Sequence, residues 1–216
     1  MKKKLQRKEK NIIGIDLGQS QDYTAICILE KWQKWFAWPY DGQKDGKPYY
    51  FVRFLERPPL GTSYPAIIKR TEQIYYGLKE KEEKAPSLVL DATGVGKPVF
   101  DSFKDANLRP VGISIHGGNT VTKDKVYNVP KRDLAGVLQV LYQNERIKVS
   151  SQLPEAETLN NELLNFKVKI NINTGHDSYE AWREGIHDDL VLAVACAAWW
   201  GERPTFQAVD IRGLGF

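Results

Sequence analysis

The segment Ile12-Ile13-Gly14-Ile15-Asp16-Leu17-Gly18 restricts the possible folds more than any other part of the chain. An apolar run of this length is typical of a strand that is buried on both faces of a sheet. Such a strand indicates an α/β domain whose sheet is covered by helices. An ionised aspartate in this run is costly unless a partner holds its charge. Asp16 is therefore the first candidate functional residue.

Patterns along the chain predict the other elements of this sheet. β-Forming residues predict strands over residues 11–17, 22–31, 49–55, 87–91 and 111–115. Helical spacing of apolar residues predicts helices over residues 65–83, 98–106, 131–144, 155–165 and 188–200. Residues 168–173 and 178–182 flank Thr-Gly-His-Asp and are predicted to form a late β-hairpin. Three antiparallel strands, followed by helices alternating with parallel strands, give the order of a ribonuclease H-like mixed sheet flanked by helices.

Two further acidic positions occur in settings like that of Asp16. Asp91 ends the short apolar run Ser-Leu-Val-Leu, and Asp188 and Asp189 directly precede the apolar stretch 190–200. In the predicted sheet, strands one and four are neighbours, and the last helix begins at the edge where both strands end. Crowded carboxylates repel one another, and Mg²⁺ or Mn²⁺ relieves that repulsion. The acids therefore predict a divalent-metal site, with two ions expected, that could hydrolyse a phosphodiester.

Length, charge and cysteine content set the broad class. The 216 residues suit one domain, predicted over residues 11–203, with a basic leader or linker remnant at 1–10 and a tail at 204–216. The formal net charge of +4 permits a nucleic-acid partner without requiring one. Cys27 and Cys196 lie in apolar segments and are predicted to be buried thiols, which fits a reducing compartment. With no signal peptide and no apolar stretch long enough to cross a bilayer, we expect an intracellular protein with no membrane partner.

Three motifs together resemble the nuclease domain of tailed-phage terminase large subunits. They are Gly14-Ile15-Asp16-Leu17-Gly18, Leu90-Asp91-Ala92-Thr93-Gly94, and His187-Asp188-Asp189 followed by Leu-Val-Leu-Ala. The resemblance implies a metal-dependent endonuclease that cuts concatemeric viral DNA during genome packaging. It places Asp16, Asp91 and Asp188 on the catalytic, metal-binding acids, with Asp189 beside them.

The same resemblance implies partners. They are double-stranded DNA, a packaging ATPase domain of the same full-length protein, a portal and a small terminase subunit, all in the host cytoplasm. Basic residues near the predicted acids are candidates for contact with DNA phosphates. These are Lys97, Lys131, Arg132 and Arg183, with Lys167 and Lys169 on the predicted late hairpin.

Other functions remain open from the sequence. The first motif also resembles the phosphate-binding hairpin of actin-like ATPases and sugar kinases, although those proteins need two such domains. A resolvase-type nuclease on the same fold, or a DNA- or portal-docking module with a degenerate site, are further alternatives. Gly94-Val95-Gly96-Lys97-Pro98 is not a phosphate loop, because the first glycine is missing and proline replaces the serine or threonine.

Overall fold

An eight-stranded mixed sheet forms the centre of the molecule in the computed structural model, which describes residues 4–18, 22–36, 46–94, 96–172 and 187–203. The strands are β1 (Lys4–Asp16), β2 (Ala25–Phe36), β3 (Tyr49–Glu56), β4 (Ser87–Asp91), β5 (Val111–His116), β6 (Thr122–Lys123), β7 (Tyr127–Pro130) and β8 (Ile147–Val149). The helices are α1 (Tyr64–Lys81), α2 (Gly96–Asp105), α3 (Lys131–Gln143), α4 (Ala156–Ile172) and α5 (Asp189–Glu202). The strand order is β6-β7-β5-β4-β1-β2-β3-β8.

The directions of the strands bring several strand ends to one edge. β2 is antiparallel to both β1 and β3, so β1 and β3 run the same way. β4 is parallel to β1, β5 to β4, and β7 to β5. The last residues of β1, β3, β4, β5 and β7 therefore all lie along one edge, here called the carboxyl edge. The predicted ribonuclease H-like arrangement of three antiparallel strands and then parallel strands is confirmed.

Helices cover both faces of the sheet, as the apolar first strand predicts. On one face, Ile67 of α1 and Phe103 of α2 pack with apolar residues of β1, β2 and β4. On the other face, α5 packs against β1, β2 and β4 and also contacts α3 and α4. α5 is buried around its whole circumference from Asp189 to Trp199, which explains why its sequence is apolar on every side.

A glycine in β1 allows α5 to approach the sheet closely. A Cβ atom added at Gly14 would lie 2.1 Å from the carbonyl oxygen of Ala193 and 2.9 Å from Cys27 Sγ. Any side chain at this position would therefore force the helix away from the strand. Close packing here helps to place the first turn of α5 at the carboxyl edge.

Three details of the sequence prediction need correction. The segment 1–10 is not a leader from Lys4 onward, because residues 4–10 extend β1 and pair with β2 as far as Phe36. The late hairpin is wrong in its first strand, because α4 continues to Ile172. Its second strand and the predicted tail at 204–216 lie outside the described residues. The short strands β6, β7 and β8 were not predicted.

The two cysteines agree with the prediction. Cys27 and Cys196 are both buried and both free thiols. Burial raises the pKa of the Cys27 thiol to about 12, so it stays protonated at neutral pH. In the described part of the chain, no helix is both long enough and apolar enough to span a membrane.

Candidate active site

Two aspartates lie side by side at the carboxyl edge. Asp16 is the last residue of β1 and Asp91 is the last residue of β4, and their Cα atoms are paired in the parallel register. The juxtaposition follows from the topology, because β1 and β4 are neighbours that run in the same direction. Ligand and catalytic sites in open α/β sheets commonly lie outside the carboxyl ends of the strands.

The turn after β4 fixes the orientation of Asp91. The backbone N–H of Thr93 donates to Asp91 Oδ1 at 2.8 Å, and the Thr93 hydroxyl accepts from the backbone N–H of Ile115 at 2.7 Å. The aspartate is 5 % exposed, and burial raises its pKa to about 6 despite these hydrogen bonds. Asp91 is therefore held in place by β5 as well as by its own strand.

The start of α5 brings two more acids to the same edge, and each faces a different cation. Asp188 is the N-cap residue of α5, and its Oδ2 atom lies 3.2 Å from Lys131 Nζ. Asp189 is the first residue of the helix, and its Oδ2 atom lies 3.4 Å from Arg57 Nη2. Both cations come from the carboxyl edge, because Lys131 directly follows β7 and Arg57 directly follows β3.

The acids are close enough to affect one another strongly. Burial raises the pKa of Asp16 well above its usual value, and the charges of Asp91, Asp189 and Asp188 raise it further. The Lys131 ammonium acts in the opposite direction on both Asp16 and Asp91. Burial lowers the pKa of Lys131 to about 8, although Asp188 and the two strand-end acids favour its charged form. Among the described residues, Lys131 is therefore the cation whose charge acts on both strand-end acids.

The chemistry of these side chains fits a hard divalent cation. Every candidate ligand atom is a carboxylate oxygen, which is the donor type that Mg²⁺ and Mn²⁺ prefer. Within the described ranges, no group of three or more His, Cys, Asp and Glu side chains is close enough together to hold an ion. Asp188 and Asp189 are each turned toward a cationic side chain, Lys131 and Arg57 respectively. The carboxylates available at this edge for such a cation are those of Asp16, Asp91 and Asp188, of which Asp188 pairs with Lys131.

A second group of side chains lies behind the α5 acids and was not predicted from the sequence. Glu162 of α4 is 5 % exposed, and its Oε2 atom accepts the backbone N–H of Val191 at 3.1 Å. Its Oε1 atom lies 3.7 Å from Arg57 Nη1. Arg57 could have been found by the rule that selected the acids, because it too follows the end of a strand. Glu162 lies inside a helix and carries no such signal.

Of the residues predicted to contact DNA, the structure describes the side chains of Lys131 and Arg132. Lys131 lies among the acids, and its neighbour Arg132 is 59 % exposed at the start of α3, where it donates to the carbonyl oxygen of Asn119. Lys97 lies at the beginning of α2, and Lys167 and Lys169 lie in α4 instead of on a hairpin. The side chains of those three lysines are outside the described part of the structure, and so is the whole of Arg183.

The order of the sheet, with acids at its carboxyl edge, is that of a ribonuclease H-like domain. The family model for the terminase RNaseH-like domain matches residues 13–198, and the chain belongs to this family. No curated protein sequence matches the chain.

Solved structures share the fold. The large terminase nuclease from thermophilic phage G20c is 17 % identical, with a TM-score of 0.53 over 87 % of this chain and 80 % of the phage protein. The same nuclease with bound zinc is 20 % identical, with a TM-score of 0.53 over 87 % of this chain and 79 % of that one. The human cytomegalovirus terminase nuclease domain is 14 % identical and has a TM-score of 0.46, covering 96 % of this chain and 86 % of the viral domain.

Proposed function

We propose that this chain is a divalent-metal-dependent endodeoxyribonuclease that cuts concatemeric viral DNA during genome packaging. The observation that carries the proposal is the register pairing of Asp16 with Asp91 beside the first turn of α5. Family membership supports it, since the matched family is the terminase RNaseH-like domain and a solved structure with the same fold is a large terminase nuclease. The actin-like ATPase, resolvase and docking-module alternatives gain no support from the described residues.

In this proposal the acids bind the metal, and Lys131 binds a phosphate of the DNA. Asp16 and Asp91 supply fixed carboxylate oxygens, and Thr93 keeps the Asp91 carboxylate from rotating away. When bound, Mg²⁺ or Mn²⁺ lowers the pKa of a water molecule and offsets charge on the phosphate, most effectively as a pair of ions. Lys131, which pairs with Asp188 in the structure, would be able to donate to a phosphate oxygen at the same edge.

Duplex DNA is the proposed substrate, bound through its backbone. Lys131 and Arg132 begin α3, and they are the candidates for phosphate contact whose side chains the structure describes. Lys97, Lys167, Lys169 and Arg183 remain proposals for the flanking contacts. Phosphate contacts carry little sequence information, so we expect cleavage with little sequence preference.

The wider assembly is also a proposal. A packaging ATPase domain of the same full-length protein would deliver DNA to the carboxyl edge. A portal and a small terminase subunit would complete the machine in the host cytoplasm. The zinc-bound phage nuclease supports metal binding by the shared fold.

Digestion of supercoiled plasmid tests the activity. We expect Mg²⁺ or Mn²⁺ to support conversion to nicked and linear DNA, and excess EDTA to stop it. Calorimetric titration with Mn²⁺ distinguishes the nuclease from a docking module with a degenerate site, which would bind no ion. A purified, folded chain that neither binds Mn²⁺ nor cuts DNA would contradict the proposal.

A further inference from the structure

Two buried side chains behind the acids are not used by the mechanism above. They are Arg57, which follows β3, and Glu162, which projects from α4; their side chains are 13 % and 5 % exposed. Charged side chains are seldom buried to this extent without a specific arrangement of partners. Both contact the first turn of α5, so the arrangement concerns the helix that carries Asp188 and Asp189.

Glu162 supplies a cap for α5 from another helix. The first backbone N–H groups of a helix have no partner within the helix. The Asp188 side chain makes no capping hydrogen bond of its own at this N-terminus. Instead, Glu162 accepts the N–H of Val191 at 3.1 Å, and the N–H of Leu190 also hydrogen-bonds to it. A carboxylate is also favoured at this end of a helix by the helix dipole.

Arg57 joins this cap to Asp189. One guanidinium nitrogen lies 3.4 Å from Asp189 Oδ2, and the other lies 3.7 Å from Glu162 Oε1. The guanidinium carbon also lies 4.0 Å above the centre of the Tyr23 ring, which restricts its movement from the opposite side. Arginine suits this position because its planar fork can reach two carboxylates at once.

As a consequence, the neighbouring acids Asp188 and Asp189 have different partners. Asp189 is held by Arg57, while Asp188 is left facing Lys131, whose charge also acts on Asp16 and Asp91. We propose that Glu162 and Arg57 are positioning residues that hold Asp189 and the first turn of α5 so that Asp188 faces the two strand-end acids. This inference rests on the proposed nuclease function.

The test compares Mn²⁺ affinity, measured by calorimetry, with kcat and KM for plasmid cleavage. In Glu162→Ala we expect Mn²⁺ binding and kcat to fall about 10–100-fold, the usual effect of removing a side chain that orients a ligand. The KM for DNA should not change, because neither residue contacts DNA in this proposal. Glu162→Gln keeps an oxygen that can accept from Val191, so it should recover at least part of the loss.

Control variants separate positioning from a general loss of charge. Glu157→Ala removes an exposed acid from the first turn of α4, the helix that carries Glu162. Arg53→Lys alters an arginine of β3 that pairs with Glu30. Both should bind Mn²⁺ as the parent does. If Glu162→Ala does not fold, Arg57→Lys takes its place, because lysine keeps the charge and loses the fork. That variant should also lose Mn²⁺ affinity by about 10-fold or more.

The outcomes are distinguishable. Failure of the parent chain to bind Mn²⁺ and cut DNA would refute the proposed function itself. An active parent with normal Mn²⁺ affinity in Glu162→Ala, or in Arg57→Lys where that variant is needed, would refute the positioning role even if the melting temperature fell. Equal losses in Glu162→Gln and Glu162→Ala would refute the capping role of Glu162.

Discussion

At the scale of single residues, the described part of the site combines four acids with two cations, Lys131 and Arg57. Asp16 and Asp91 are paired by the sheet, and Asp188 and Asp189 are added by the start of α5. Lys131 supplies one positive charge on the side of the strand-end acids. Burial raises the pKa values of Asp16, Asp91 and Asp189, and a divalent ion bound at this edge would offset their negative charge.

The raised pKa values predict how metal-free stability depends on pH. Burial raises the pKa of Asp91 to about 6 and that of Asp189 to about 7. Between pH 4 and 7 the folded state therefore keeps protons that the unfolded state has released, so these groups reduce stability as pH rises through that window. In EDTA, the melting temperature of Asp91→Asn minus that of the parent should increase from pH 4.5 to pH 7.5. A difference that stays constant or shrinks would contradict the raised pKa of Asp91.

The two neighbouring acids of α5 should not be equivalent. Asp188 faces Lys131 and the strand-end acids, whereas Asp189 is held by Arg57. We therefore expect Asp188→Asn to lose nearly all cleavage and Asp189→Asn to lose about 10–100-fold, as for a residue that supports a ligand. Plasmid cleavage rates measure both. The opposite order would exchange the two assignments, and complete loss in both variants would mean that both acids bind metal.

At the scale of elements, α5 determines whether the acids meet. It is buried on all sides, and its first turn reaches the carboxyl edge because the helix lies directly on β1 at Gly14. The close approach leaves no room for a side chain. A change at the contact between α5 and β1 should therefore also shift the acids at the start of α5.

Gly14→Ala should disturb both stability and cleavage. The added methyl group would lie 2.1 Å from the carbonyl oxygen of Ala193, so α5 must shift, at a cost of about 1–3 kcal/mol in unfolding free energy. Gly77→Ala is the matched control, because nothing lies within 4 Å of an added Cβ there and the residue is inside α1. That control should be stabilised by about 0.5–1 kcal/mol. Chemical denaturation measures both, and an undisturbed Gly14→Ala would contradict the close packing.

The elements that the sequence predicts well are those whose pattern reflects their own burial. β1, β4 and α5 are apolar because the sheet and helices enclose them, so their ends, and the acids there, could be located in advance. Residues 168–172 carry alternating apolar residues that suggest a strand, yet they continue α4. Glu162 could not be selected, because its role comes from contact with α5, a contact between distant parts of the chain.

At the scale of the whole molecule, the carboxyl ends of the parallel strands bring the site residues together. The acids that end β1 and β4 and the cations that follow β3 and β7 all lie at the carboxyl edge, although the first and last of them are more than 100 residues apart in the sequence. In the proposed function, a chain with a net charge of +4 would hold a metal and contact DNA along this same edge. The DNA contact depends on charge, so it should depend on salt.

Arg132 is the cation whose contact with DNA is easiest to test. It is 59 % exposed at the start of α3, where it pairs with Asp133 rather than with the acids of the carboxyl edge. We expect Arg132→Ala to reduce the slope of log K against log salt by about 1, as for one lost phosphate contact. Arg53→Ala, which removes an arginine 53 % exposed in β3, should leave the slope unchanged. Equal slopes for Arg132→Ala and the parent would remove Arg132 from the DNA path.

The central claim is that the Asp16–Asp91 pair holds the metal that cuts DNA. The most direct measurement is the rate of plasmid cleavage in Mn²⁺ by Asp16→Asn and Asp91→Asn, compared with Asp105→Asn, which changes an exposed acid at the end of α2. We expect both site variants to lose cleavage completely while the metal-free melting temperature matches or exceeds that of the parent, because a repelling charge has been removed. Asp105→Asn should cut as the parent does. Near-normal cleavage by either site variant would contradict the account.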